Sequence, residues 1–478
     1  MFKRDLYLQK LIDRKNNHFI KVITGIRRSG KSFLLNEIFK SFLLESGVRA
    51  DHIISFGFDL EEDVLLLDDY YKNEPTLIKQ GRQTKVNSKK FLAYINELTK
   101  DKDTYYLLLD EIQILDRFVN VLNSFTKHNY DVYVTGSNSR FLSKDVDTEF
   151  GGRGDRIHLL PLAFNEYLSD TNLERRDALD EYIRYGGVPL VQLGNNDETK
   201  ASVAESILNE TYIKDVLERH PQVDVNVLKE TLKVISSMIS TPVNPTKIEN
   251  TFNSVYNMKI TNDTITSYIE WFEDSYLLNK VERYDVKGRR YIGSPYKVFF
   301  EDIGIRNAAL NFRDIDETDI IENIVYNELR YRGFNVDVGI VYINEPTDRK
   351  DKNGKTIYKE TGTEVDFVAN KGNKTYYIQV AYKIDSLEKK DQEYKSIRNI
   401  PNSFKKIIVV KEEGRHYYTD EGFLRISLLD FLTNTDSLDW WYNKSYFLFF
   451  RIIWKKINTI WHKRKRSAAS KGHTPFIN

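Results

Sequence analysis

Over the first 195 positions the hydrophobic residues fall into short runs, separated by longer stretches in which they recur every three or four residues. The runs at 19–24, 53–58, 105–109 and 131–135 are dominated by β-branched, aromatic and leucine side chains. Runs of that kind predict strands covered on both faces. The amphipathic stretches at 32–44 and 88–100 predict helices between them, and a fifth strand is expected at 156–159. Strands alternating with helices argue for a parallel α/β sheet, whose ligand site lies beyond the carboxyl ends of the strands.

The pattern changes after residue 200. Helices are expected at 228–240, from 244 onward and at 261–273, the last capped by Thr261-Asn262-Asp263. Two strands follow at 278–284 and 296–300, joined by a basic turn, Lys287-Gly288-Arg289-Arg290. Three helices and a basic-tipped hairpin describe a winged helix. A third unit has a helix at 320–332 and strands at 335–343, 364–368, 376–380 and 406–410, and the polar residues 345–361 read as an exposed excursion. The chain thus divides at 1–195, 200–312, 318–432 and 433–478, with no internal repeat.

Composition narrows the classes of chemistry. The 478 residues include no cysteine, which removes disulfides, thiolate metal sites and cysteine nucleophiles together. The net charge of +1 hides an asymmetry: residues 451–478 hold eight Lys and Arg and no acid, which leaves residues 1–450 at −7. No apolar leader follows Met1-Phe2-Lys3-Arg4, and the apolar stretch at 446–454 is short of the ~20 residues that span a bilayer. The expectation is a cytoplasmic protein without a transmembrane span.

The most specific motif is Gly25-Ile26-Arg27-Arg28-Ser29-Gly30-Lys31-Ser32, which matches G-x-x-x-x-G-K-[ST] at an expected strand-to-helix junction. Glycines let backbone N–H groups wrap a triphosphate closely, and the following helix turns its positive end to the anion. Gly25, Arg28, Ser29, Gly30, Lys31, Ser32 and Phe33 would form the binding surface, with Lys31 on the β- and γ-phosphates and the Ser32 hydroxyl on Mg²⁺. The run at 105–109 ends in Asp110-Glu111. Asp110 would hold the Mg²⁺ water shell and Glu111 would polarise the attacking water. After the next strand, Asn138 is the candidate sensor of the γ-phosphate, against the alternative of an ordinary turn residue. Arg153, on the loop Phe150-Gly151-Gly152-Arg153-Gly154, is the candidate for neutralising charge on the transferred phosphoryl, ahead of Arg140, and its alternative is a solvated surface arginine.

With these residues in place the sequence resembles bacterial and archaeal AAA-type P-loop ATPases that carry a C-terminal conserved domain of unknown function. The resemblance runs from about Arg4 to Leu432. It rests on Thr24 to Ser32, Leu109-Asp110-Glu111-Ile112-Gln113 and Thr135-Gly136-Ser137-Asn138-Ser139, and is extended by Leu160-Pro161-Leu162-Ala163-Phe164-Asn165-Glu166-Tyr167 and Tyr185-Gly186-Gly187-Val188-Pro189. It implies an AAA-type sheet, ATP and Mg²⁺ as cofactors and hydrolysis of ATP to ADP and phosphate. Related ATPases pack a Gly-x-Pro motif near adenine, which would place Pro189 there; the alternative is a domain-joining turn.

The resemblance also implies a restriction-endonuclease-like fold for the third unit. Glu322 or Glu328, Asp366 and the strand Tyr377-Ile378-Gln379-Val380-Ala381 follow that layout. A working centre needs a second acid and a lysine two residues on, to hold Mg²⁺ and steady the scissile phosphate. Here Gln379 and Ala381 stand in those places, so an inactive binding fold is expected, with Lys383 on the same strand face as a substitute lysine. Nucleic acid could be met through Lys287, Arg289 and Arg290, although the expected third helix lacks guanine-reading arginines. A protein partner or a second copy of the chain is the other use of such a module. For the aromatic and basic residues 433–478 a partly disordered basic tail is the default expectation, beside three other readings: a capping amphipathic helix, a membrane-surface helix and a phosphate-binding arm. The functional expectation is an ATPase that moves its C-terminal half, with an ATP-gated nucleic-acid-binding regulator and a Mg²⁺-dependent nuclease as alternatives.

Overall fold

Seven strands precede residue 160 in the computed structural model, which describes residues 2–81, 83–136, 150, 152–256, 260–313 and 316–440. They are β1 (Ile20–Thr24), β2 (Ile53–Gly57), β3 (Leu77–Gln80), β4 (Gln83–Val86), β5 (Tyr105–Asp110), β6 (Tyr130–Thr135) and β7 (Gly154–His158). β3 and β4 pair with each other as a hairpin that the hydrophobic pattern did not announce. The other five form a parallel sheet in the order β2-β5-β6-β1-β7. Every residue of β1 and β5 is buried, as their apolar runs require. The register aligns Ile23 with Thr135 and Leu109 with Val134, so the ends of β1, β5 and β6 lie side by side.

The three helices expected between 225 and 274 are present, as Val225–Ser237, Pro245–Thr251 and Asn262–Asp274. Each begins where a short polar side chain accepts a free backbone N–H: Asp224 from Asn226 at 2.8 Å, Asn244 from Thr246 at 3.0 Å and Thr261 from Thr264 at 3.3 Å.

β8 (Leu278–Asp285) and β9 (Arg290–Phe300) form the expected hairpin, but it is not a free wing. It is the edge of an eight-stranded mixed sheet with β10 (Asn335–Lys350), β11 (Thr356–Lys371), β12 (Lys374–Ala381), β13 (Lys405–Val410), β14 (Tyr417–Tyr418) and β15 (Leu424–Ser427), in the order β14-β15-β13-β12-β11-β10-β8-β9. β8 runs parallel to β10, with Arg283 opposite Val338 and Asp285 opposite Ile340. The Lys287 ammonium donates to the Tyr342 carbonyl at 2.6 Å, which ties the basic turn to the same strand. The expected excursion at 345–361 is also corrected. β10 and β11 continue through it as a paired arm, with Pro346 opposite Tyr358 and Lys350 opposite Thr356. Its exposed faces explain why polar composition concealed the strands.

Two apolar clusters line the faces of the five-stranded sheet, but the largest begins elsewhere. It runs from Ile26 through Leu162 and the helices after it, across the hairpin and one face of the eight-stranded sheet, to Leu438. No helix among the described residues is long and apolar enough to cross a membrane.

Candidate nucleotide site

The loop between β1 and the helix that starts at Lys31 takes a shape that few residue types allow. Gly25 has φ 138°, and a Cβ there would lie 2.2 Å from the carbonyl oxygen of Leu159. Gly30 has φ 91° in open space, so conformation alone demands glycine. Arg28 between them also adopts a positive φ, of 66°. The fold turns Lys31 back into the loop, where its Nζ donates to the carbonyls of Gly25 at 3.0 Å and Ile26 at 2.8 Å. Burial pushes this ammonium down to about 8, against the upward pull of Glu111 and Asp110. Ser29 is buried, and its Oγ has no hydrogen-bond partner among the described residues. A buried hydroxyl left unpaired inside a concave loop is a donor open to a ligand.

Across from the loop, β5 ends on Asp110, which is buried, and Glu111 follows with φ 49°. Thr135, the last residue of β6, binds both acids: its hydroxyl donates to Asp110 and accepts the N–H of Glu111 at 3.1 Å. The Gln113 amide donates to the Glu111 carboxylate. Thr135 and Gln113 stand in the quoted motifs, but motif chemistry alone assigned them no role. The left-handed backbone of Glu111 costs about 1–3 kcal/mol and aims its side chain at the loop.

The loop and Glu111 border a cleft of about 660 Å³, the right size for a nucleotide. Arg28, Ser29, Gly30, Lys31, Ser32 and Glu111 make its polar end. Phe2, Phe33, Leu162, Pro189, Leu190 and Leu193 supply an apolar wall. Pro189 is thus part of the cleft lining. The close turn before it depends on glycine, because a Cβ on Gly187 would stand 2.2 Å from the Leu162 carbonyl oxygen.

Residues 17–168 match a family model described as an AAA domain, and residues 176–316 match a domain of unknown function. An uncharacterized protein of Haemophilus influenzae is 30% identical over 440 residues, covering 90% of this chain and 98% of that protein. The chain belongs to the AAA-type P-loop family with a conserved C-terminal domain. An uncharacterized protein of Methanocaldococcus jannaschii is 28% identical over 453 residues, covering 90% of this chain and 88% of that one. Among solved structures, the ORC1 protein of Aeropyrum pernix in complex with DNA is 11% identical and covers 65% of this chain and 92% of that one, at a TM-score of 0.27. Cdc6p of Pyrobaculum aerophilum is 13% identical, covering 67% and 94%, at a TM-score of 0.26.

The AAA domain is joined to the residues after it by three polar contacts, each made to a buried carboxylate, Asp215, Glu301 or Asp302. Arg27, inside the phosphate loop, pairs with Asp215 at 2.8 Å. Asp302 accepts the N–H of Gly187 at 2.7 Å and that of Ile305 at 3.0 Å, so it fixes the turn that leads to Pro189. His158 lies 3.2 Å from the Thr24 hydroxyl and 2.9 Å from the buried Glu301, which also accepts from Arg330 at 3.2 Å. Burial works to raise the Glu301 carboxyl, but His158 and Arg330 hold it below the usual range.

Other expected residues fall elsewhere. Asn138 and Arg140 lie outside the described residues. Arg153 stands at the amino edge of the sheet, opposite the cleft, since Gly154 pairs with Ile20. It is exposed and donates to Thr126 at 3.2 Å, so within one chain it does not reach the phosphate loop. Lys383 does not join Asp366 either. It is exposed, pairs with Asp385 at 3.4 Å and borders a separate surface hollow with Arg176 and Lys411. Strand alternation put it on the right face, but β12 ends at Ala381 and the backbone turns away before it.

Proposed function

We propose that the chain binds ATP with Mg²⁺ in the 660 Å³ cleft, hydrolyses it to ADP and phosphate, and passes the change to its C-terminal half. The observation that carries this reading is the convergence of the loop, with Lys31 turned inward and Ser29 unpaired, on Glu111 across the polar end of the cleft. The Ser32 hydroxyl and the Asp110 carboxylate beside that loop are the oxygen donors Mg²⁺ takes along with phosphates and water. Bound there, Mg²⁺ would offset phosphate charge as the γ-phosphoryl leaves. Lys31 would exchange its two loop carbonyls for phosphate oxygens, and the helix that begins with it would direct N–H groups at the same anion. Glu111 would accept a hydrogen bond from the attacking water and hold it in line, fixed by Thr135 and Gln113. The apolar wall with Pro189 would enclose the base.

The test is a pair of substitutions. Lys31→Ala should abolish ATP binding by calorimetry. Glu111→Gln should bind ATP and release phosphate about 10²–10⁴-fold more slowly. Unchanged affinity in the first or undiminished turnover in the second overturns the site assignment. A wild-type rate per chain that rises with protein concentration would support Arg153 acting from a second copy, the only route its position leaves.

Arg289 and Arg290 are exposed at the hairpin turn and support a second reading, an ATP-gated nucleic-acid-binding regulator. Turnover stimulated by DNA, with binding that falls steeply as salt rises, favours it; turnover indifferent to DNA favours a protein-directed switch.

A further inference from the structure

The nuclease-like unit contains a lysine at its acidic centre, supplied by a part of the chain outside the expected motif. Lys297 lies on β9, is 2% exposed, and places its Nζ 2.9 Å from Glu322 and 2.5 Å from Glu364. Glu322 comes from the helix Glu317–Tyr331, and Glu364 comes from β11. Asp366 follows Glu364 on the same face of β11 and accepts the N–H of Val380 at 2.7 Å. Burial works against the Lys297 charge, but Glu322, Glu364 and Asp366 outweigh it and hold the ammonium protonated. The side chains around it are engaged: the Gln379 amide lies 3.4 Å from Glu393 and accepts from Ser396 at 3.3 Å.

Three carboxylates gathered around a buried ammonium, with Asp366 itself buried, resist ionising together unless a cation stands among them. In an open centre a hydrated divalent ion fills that role. Here a four-carbon stem carries an ammonium in from the hairpin, and its donors already reach two of the three acids. A tethered charge is present at a far higher effective concentration than an ion from solution. Displacing it would leave a buried lysine unpaired, which burial penalises heavily. The missing acid and lysine at Gln379 and Ala381 fit the same account, since a centre that takes no metal needs neither.

We propose that Lys297 is the built-in cation of the Glu322–Glu364–Asp366 centre, excluding divalent metal from it and clamping the β8–β9 hairpin onto the nuclease-like sheet. This inference stands apart from the nucleotide site, because it uses none of the residues there. Its test is Mn²⁺ titration of the nucleotide-free full-length protein, followed by paramagnetic resonance and by thermal melting. The wild type and Asp366→Asn should bind the same number of Mn²⁺ ions. Lys297→Met keeps the stem and removes the charge; it should gain one Mn²⁺ site, and the double variant Lys297→Met/Asp366→Asn should lose it. Mn²⁺ should raise the melting temperature of Lys297→Met and leave that of the wild type unmoved. A wild-type Mn²⁺ site that Asp366→Asn abolishes overturns the proposal, and so does a folded Lys297→Met that gains none. If Lys297→Met does not fold, the comparison of wild type with Asp366→Asn decides alone.

Discussion

The hydroxyl of Thr135 donates to Asp110 while accepting the N–H of Glu111, so one side chain ties together the two acids proposed to serve the metal and the attacking water. A Thr135→Val substitution keeps the shape and removes both bonds. Turnover should fall about 10–100-fold, as it does when a supporting partner of a ligating group is lost, with ATP affinity much less affected. Thr135→Ser should restore most of the rate. Steady-state phosphate release beside calorimetric affinity separates these outcomes, and equal losses in both would show Thr135 to be structural only. At this scale the sequence was most legible where chemistry demands residue types at adjacent positions, as at Lys31, Ser32, Asp110 and Glu111. It was least legible where partners meet only after folding. Nothing local ties Arg27 to Asp215 or Lys297 to Glu364, and each of those pairs joins elements far apart in the chain.

Among the elements, the turn carrying Pro189 depends on a carboxylate more than a hundred residues away. Burial pushes Asp302 up to about 6, and the N–H groups of Gly187, Ile305 and Gly304 pull it back. In the unfolded chain it would titrate near 3.9. The folded state therefore binds the proton more tightly. Its contribution to stability is complete below about pH 4 and is lost as pH rises through about 6. Asp302→Asn cannot titrate, so the stability of the wild type relative to this variant should decline from pH 4 to pH 6 and level off above, measured by urea denaturation. A constant difference across that window would remove Asp302 as the titrating group. Strand existence was legible from unbroken apolar runs, as in β5 and β6. Pairing was not, because the hairpin at 278–300 carries no local sign that β8 will lie against β10.

In the whole molecule the phosphate loop and the C-terminal half are physically continuous through Arg27 and Asp215. Burial raises the Asp215 carboxyl, while Arg27 and Arg219 oppose it, so the acid is shared between the loop and its own helix, Lys214–Arg219. A nonhydrolysable ATP analogue should alter hydrogen exchange in that helix in the wild type. In Asp215→Asn the analogue should still bind within a few-fold of wild-type affinity, and the exchange change should vanish. A response that survives the substitution would place the coupling on the Asp302 or Glu301 contacts instead.

Ile26 is one of the four residues between Gly25 and Gly30 of the loop, yet it belongs to the apolar cluster that ends at Leu438. A residue whose backbone carbonyl holds Lys31 while its side chain is packed into a distant core couples the loop to that core in thermodynamic terms. Whatever free energy the loop draws from that core on loading, the core must draw from the loop by the same amount, since linkage is reciprocal. Truncating methyl groups far out in the eight-stranded sheet should then shift the ATP affinity proposed for the loop at the other end of the chain.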